Sequence, residues 1–169
     1  MVHTVVNDYF FDDVDNIIKW TDSLEFLPPG ESDNWPGERT RSLHTVDQGF
    51  FNHTILKILS HYYDVNKISY DNTFLYCHRI KPGDYGKTGY HIDNQPIPFK
   101  IASVIYLTDG DIDSGTSIVN ENHEKQIVVA NKTNTMVAYD AQKWHGPTTL
   151  EYNKERLTFV AFIGSVNLK

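Results

Sequence analysis

Apolar positions along the chain change their period once, and that change divides it into two kinds of structure. Over residues 12–24, Val14, Ile17, Ile18 and Leu24 recur at helical spacing, with Asp12 placed to cap the first turn and Asp15 to favour its positive end. Over 51–63, Phe51, Ile55, Ile58, Leu59 and Tyr62 form one stripe suited to packing on a sheet, and His53 and His61 lie off or beside it. After Asp64 the period shortens to two. Runs rich in β-branched and aromatic residues at 72–80, 100–107, 116–119, 126–129, 135–139 and 156–163 are separated by turn signals such as Pro82-Gly83-Asp84 and Asp109-Gly110-Asp111. A brief apolar run at 4–6 precedes the first helix. The pattern predicts one mainly β domain over 1–169. Its core is a sandwich or jelly roll (double-stranded β-helix) over 67–169, and the two helices of 1–66 buttress one outer face.

Residues 27–49 fit neither period. So long an irregular stretch in a compact domain is either functional or a surface connection. Trp35, Arg39, Arg41 and His44 make a substrate-facing flap one reading, and a loop pinned by Trp35 the other.

Composition narrows the setting. With 169 residues, 40% hydrophobic and 22% charged, the chain buries a real core and is neither disordered nor membrane-spanning. It has no run of about 18 apolar residues and no basic-then-apolar leader at its start, which points to a cytoplasmic protein. Cys77 is the one cysteine, so an internal disulfide and a Cys-rich zinc site are excluded; a buried spectator thiol is its expected role. A net charge of −7 argues against a nucleic-acid partner, because that affinity comes mainly from Lys and Arg neutralising phosphates.

The candidate chemistry begins at Gly89-Tyr90-His91-Ile92-Asp93-Asn94. On a strand, His91 and Asp93 project from one face and can grip one metal ion, although a chain with eight histidines yields a His-x-Asp pair by chance nearly as often as not. His145 follows a predicted strand, far enough along for a return strand to bring it to the same mouth of the barrel. Two imidazoles and one carboxylate suit Fe(II) and leave coordination positions open for co-substrate and O₂. Eleven residues later, Arg156-Leu157-Thr158 starts an apolar strand. A guanidinium with a hydroxyl two residues on is a receptor for the far carboxylate of a dicarboxylic acid. Alternatively, Arg156 reaches to water from a strand end beside Glu155.

In that order and spacing, His91-x-Asp93, His145 and Arg156-x-Thr158 resemble the 2-oxoglutarate and Fe(II)-dependent dioxygenases, especially their prolyl-hydroxylase-like branch, over about residues 74–163. The resemblance implies metal ligands His91, Asp93 and His145. It also implies a 2-oxoglutarate anchor of Arg156 and Thr158, with Tyr106 in Ile105-Tyr106-Leu107 reaching the same distal carboxylate. Ser114-Gly115-Thr116-Ser117-Ile118 is similar to the family's turn after the first ligands, with one glycine where two are usual. The implied cofactors are Fe(II), 2-oxoglutarate as co-substrate and O₂, with ascorbate as a stimulant. The implied reaction couples conversion of 2-oxoglutarate to succinate and CO₂ with hydroxylation of a substrate C–H bond. Retention of Asp93 favours hydroxylation over halogenation, and Phe162 stands where the nucleic-acid demethylase branch carries a second arginine.

The expected substrate is a peptidyl residue, such as proline, or a small amino-acid-like molecule. The loop 81–89, with Gly83, Asp84, Tyr85, Gly86 and Lys87, is either a lid over that substrate or an ordinary hairpin. Tyr76, His78, Tyr85, Tyr90 and Trp144 are candidates for the substrate pocket. The alternative function is a non-catalytic, cupin-like module holding a metal or small molecule on the same residues.

Overall fold

The computed structural model describes residues 2–31, 33, 35–85, 89–93, 97–147 and 149–169. Gly86 and Lys87 of the loop read as a lid or a hairpin, and Asn94 of the first ligand stretch, lie outside the described residues. Among the described residues, nine strands and two α-helices follow in the order β1 (Val5–Asn7), α1 (Val14–Thr21), β2 (Glu38–Arg39), α2 (Gln48–Leu59), β3 (Ile68–Ile80), β4 (Ile101–Tyr106), β5 (Thr116–Val119), β6 (Lys125–Val129), β7 (Met136–Asp140), β8 (His145–Gly146) and β9 (Arg156–Leu168). They form a six-stranded sheet in the order β1-β7-β4-β9-β3-β2 and a three-stranded sheet in the order β6-β5-β8, with every pairing antiparallel. Two facing antiparallel sheets with helices on one outer side make the expected jelly roll.

The alternation of side chains along β3, β4, β7 and β9 sorts the core into two layers. Leu75, Cys77, Ser103, Ile105, Met136, Ala138, Phe159 and Ala161 stand on the outer face of the large sheet. There, all but Ser103 join a cluster with Phe51, Ile55, Ile58 and Leu59 of α2 and with Phe10 and Phe11. On the inner face, Phe74, Ala102, Val104, Tyr106, Val137, Tyr139 and Phe162 meet Ile118 and Val129 of the small sheet. The inner layer carries the site.

Several local expectations shift by a few residues. The first helix is capped by Asp13 rather than Asp12, because Asp13 is the residue that accepts from Asn16 N, at 3.1 Å. The second helix starts at Gln48, where Asp47 accepts from Phe50 N at 2.8 Å, and it ends at Leu59, three residues before the apolar stripe does at Tyr62. The N-terminal third also enters the sheet itself: β1 and β2 are its two edge strands. Stretch 27–49 is therefore not one loop. Its Leu27 and Arg39 exchange both backbone hydrogen bonds, at 2.8 and 2.9 Å, and β2 lies beside β3. Arg41 and His44 are exposed, and His44 Nδ1 is held by Ser42 Oγ at 2.9 Å, so neither lines the inner cavity. Among the described residues, no helix is long and apolar enough to cross a membrane.

Candidate active site

His91, Asp93 and His145 converge at one end of the inner layer. Their ligand atoms all lie within 4.8 Å of one another. His91 and His145 face each other across an antiparallel bridge whose two backbone bonds measure 2.8 and 2.9 Å. Asp93 is fixed by its own N–H on Ala141 O at 3.0 Å. Close approach of these backbones requires Gly146, where an added Cβ would lie 2.8 Å from Gly89 O.

The donor set fits a metal ion. Each imidazole directs Nδ1 at a backbone carbonyl, His91 at Gly89 O (3.0 Å) and His145 at Lys143 O (2.8 Å). With the proton assigned to Nδ1 by those carbonyls, each Nε2 turns a lone pair toward Asp93, 3.6 Å from Oδ1 for His91 and 3.1 Å from Oδ2 for His145. The short His145 contact is consequently no hydrogen bond, and Asp93 Oδ2 is buried without a donor. Lone pairs and a carboxylate brought this close repel unless a cation stands among them. Burial, and then His145 beside it, hold His91 below its ordinary pKa, in the neutral form that ligates.

At the other end of the same inner face, Arg156 is buried at 8% exposure. Its Nε donates to Ser114 O at 3.0 Å, its guanidinium lies 5.4 Å from the centre of the Tyr106 ring, and it makes no ion pair with any described carboxylate. Thr158 Oγ1 is buried and has no partner. Tyr106 O–H is tied to Thr116 Oγ1 at 2.6 Å, and burial raises its pKa. A buried cation and an orphaned hydroxyl side by side form a receptor lacking its anion.

Between the two ends runs a cavity of about 1170 Å³, open to solvent, lined by His91, Asp93, His145 and Arg156 and walled by Phe74, Phe99, Tyr139 and Phe162. Of the candidate substrate residues, Tyr76, His78 and Trp144 line it as well. His78 is buried, with Nε2 2.6 Å from Pro36 O. Tyr85 and Tyr90 do not line it. Tyr85 is 62% exposed on an adjoining hollow of about 300 Å³, which shares Pro28, Trp35 and Pro36 with the main cavity. Tyr90 packs on His123 at 5.6 Å between ring centres.

Sequence reasoning did not single out Thr116, Tyr139 or Tyr152, which also line the cavity. Tyr139 is legible only as the end of a strand, and the signal for its role is that it directly precedes the His145 turn. In sequence, Arg39 reads as part of a long irregular stretch, either a flap or a surface loop. The residue instead sits in β2 and lines the cavity, where burial foremost, and Arg156 at longer range, lower its pKa to about 10.

No protein-family model and no curated protein sequence matches the chain. Solved structures do. It superposes on a Pseudomonas putida prolyl-4-hydroxylase with a TM-score of 0.65 at 15% identity, covering 97% of this chain and 93% of that one. HygX from Streptomyces hygroscopicus, crystallised with nickel, 2-oxoglutarate and hygromycin B, gives 0.66 at 14% identity, over 96% and 83%. The viral collagen prolyl hydroxylase of Paramecium Bursaria Chlorella virus-1, in its 2-oxoglutarate complex, gives 0.54 at 18%, over 98% and 97%. The chain therefore has the jelly-roll fold of the 2-oxoglutarate and Fe(II) oxygenases.

Proposed function

We propose that this protein is a 2-oxoglutarate- and O₂-dependent Fe(II) hydroxylase acting on a C–H bond of a peptidyl residue, proline among the candidates, or of a small amino-acid-like molecule. The observation that carries the reading is one cavity with a two-histidine, one-carboxylate cluster at one end and an unpaired, buried arginine at the other. Solved structures of the same fold include a collagen prolyl hydroxylase and HygX with hygromycin B bound.

In this reading His91, Asp93 and His145 hold the iron. When bound, iron with 2-oxoglutarate and O₂ supplies the oxidising power, and succinate and CO₂ leave. The chain's own residues do the rest. Arg156 takes the distal carboxylate of 2-oxoglutarate through paired N–H donors, and Thr158 adds its free hydroxyl. Tyr106 lies against the guanidinium and, with Thr116, closes the end of the slot. Phe74, Phe99, Phe162 and Tyr139 exclude water around the reacting centre, which strengthens each polar contact there.

The test is anaerobic titration of Fe(II) and 2-oxoglutarate. Wild type develops the weak visible charge-transfer band of the chelate, and its absence from folded protein sinks the reading. Arg156→Ala weakens 2-oxoglutarate binding by two or more orders of magnitude, about 3–5 kcal/mol for stripping the partner from a buried charge. Unchanged affinity would move the anchor elsewhere. Zn(II) binding without any 2-oxoglutarate affinity would identify a metal-holding module instead.

A further inference from the structure

Arg39 is the feature of the cavity that the proposed reaction leaves unused. Across the large sheet, Arg39 stands opposite His78, His78 opposite Thr158, and Thr158 opposite Tyr106. Directly opposed residues of antiparallel strands share a face, so the four form one row on the inner wall. At about 4.8 Å per strand, Arg39 starts roughly 10 Å to the side of Thr158. Its guanidinium lies 4.6 Å from the Trp35 ring centre and 6.0 Å from that of Tyr76, one row nearer to the metal cluster than His78. The positive group is thus beside the path from Arg156 to His91 and Asp93, and off the line a co-substrate would occupy.

Arg39 is also uncompensated. Its Nε is buried with no acceptor, and it makes no ion pair with a described carboxylate. Asp33 and Asp93 line the same cavity, and their charges raise the Arg39 pKa by less than burial lowers it. The contrast lies one residue away: Glu38, on the other face of β2, serves both Arg79 at 3.7 Å and Lys81 at 3.1 Å. The backbone of Arg39 is clamped to Leu27 on both sides, which fixes where its side chain leaves the sheet, and the guanidinium rests on the Trp35 ring. A half-buried cation with its Nε enclosed, flanked by two aromatic rings and without an ion-pair partner among the described carboxylates, is built to receive an anion. Its planar fork matches a carboxylate.

We infer that Arg39, between Trp35 and Tyr76, is a specificity-determining residue that binds a carboxylate of the substrate and sets the reacting C–H bond toward His91, Asp93 and His145. The inference rests on the hydroxylase reading for the identity of the reaction, and on the cavity alone for the ligand class. It assigns the substrate to acids: a free α-carboxylate, or an acidic side chain in a peptide.

Matched acid and amide pairs test it. N-acetyl-L-proline and N-acetyl-L-alanine with their amides carry or lack the main-chain carboxylate. N-acetyl-L-glutamate amide and N-acetyl-L-glutamine amide differ only in the side chain. Binding to metal-free protein is followed by ligand-observed saturation-transfer NMR, and binding of 2-oxoglutarate by the Fe(II) charge-transfer band. Wild type should hold the acid of at least one pair tenfold or more tighter than its amide, and the pair that discriminates shows which carboxylate is read. Arg39→Gln should erase that preference, Arg39→Lys should retain part of it, and both should leave 2-oxoglutarate affinity within about twofold of wild type. Thermal melting checks that both variants fold. Equal binding of acids and amides by wild type, or of neither, overturns the inference, as does a preference that survives Arg39→Gln. A loss of 2-oxoglutarate binding in Arg39→Gln as large as in Arg156→Ala also overturns it, by making Arg39 a co-substrate anchor. Loss of the charge-transfer band in wild type would instead strike the hydroxylase reading and leave the NMR preference to stand or fall separately.

Discussion

Single atoms with nothing to bond to are the most informative feature of this protein. Asp93 Oδ2, Thr158 Oγ1 and Arg39 Nε are all buried and unpartnered, and all three belong to residues of the inner face. Leaving such a group unsatisfied costs about 1–3 kcal/mol. Arg39 and Asp93 line one cavity, with Thr158 opposite cavity-lining His78 on its inner wall, so ligands there can complete them, whereas Thr54 Oγ1, Arg79 Nε and Asn131 Oδ1 belong to residues that do not line it. Thr158→Val, nearly isosteric, separates the two sides of that balance. The substitution should weaken 2-oxoglutarate by about tenfold or more, since a hydrogen bond to a charged group is worth roughly 1.5–3 kcal/mol. It should leave the melting temperature of the ligand-free protein equal or higher, because an orphaned hydroxyl has gone. Affinity unchanged with the melting point lowered would mean that the hydroxyl serves the fold rather than the ligand. Ser103 carries the same defect in the outer layer, at 0% exposure and with no ligand in reach. Ser103→Ala should accordingly raise stability by about 1 kcal/mol in urea unfolding. The contrast shows what sequence reveals at this scale. His91, Asp93, His145, Arg156 and Thr158 were legible because their chemistry recurs at a recognisable offset. Arg39 was visible as a residue but not as a site, since its opposition to His78 depends on a two-residue strand that leaves no periodic trace.

At the scale of elements, long strands announce themselves and short ones do not. β3 and β9 pair over twelve registered positions, and their alternation of core and cavity residues is plain in the sequence. β2 and β8 have two residues each and arise from tertiary pairing, β8 through Ser117–Gly146 and Ile118–His145. The N-terminal segment is held to the barrel by a device of the same local kind. Asn134, at φ 65°, accepts from Phe11 N and donates to Phe11 O through its side chain, both at 2.8 Å, while its own carbonyl accepts from Phe10 N at 3.1 Å. The amide thereby replaces a strand partner for a backbone that has none, and it seats Phe10 and Phe11 in the outer core. Asn134→Gly keeps the left-handed turn and removes the clip. It should cost about 2 kcal/mol, one for each lost bond, with Asn134→Ala worse by the strain of a β-carbon at positive φ. Equal costs for the two would show that the clip outweighs the turn altogether. Cys77, in the middle of β3, is enclosed by the same outer layer, and burial pushes its thiol pKa upward. Iodoacetamide at pH 8 should leave the native thiol unmodified and label it on unfolding.

Over the whole molecule, the large sheet has opposite duties on its two faces, and acid should expose the conflict. The outer face is an apolar layer under α2. The inner face is lined by Arg39, His78 and Arg156, with Asp93 the carboxylate of the candidate metal site. His78 feels this most. Burial first, then Arg39 and Arg156, hold its pKa well below the ordinary value, against the favourable bond to Pro36 O. In the unfolded chain a histidine titrates near 6.5. As pH falls through that value the unfolded state takes up a proton that the folded state refuses, so folding stability drops. The loss is up to about 1.4 kcal/mol per pH unit for one proton, and it persists down to the depressed folded pKa. Above about pH 6.5 both states are neutral and the contribution is constant. His78→Gln keeps an N–H donor for Pro36 O and cannot titrate. Its unfolding free energy, measured in urea on metal-free protein at pH 7.5 and pH 5.5, should therefore decline less than that of wild type between the two. The other carboxylates and histidines affect both proteins alike and cancel in the comparison. Parallel declines would mean that His78 accepts its proton in the folded state, and that the cavity tolerates a third cation beside Arg39 and Arg156.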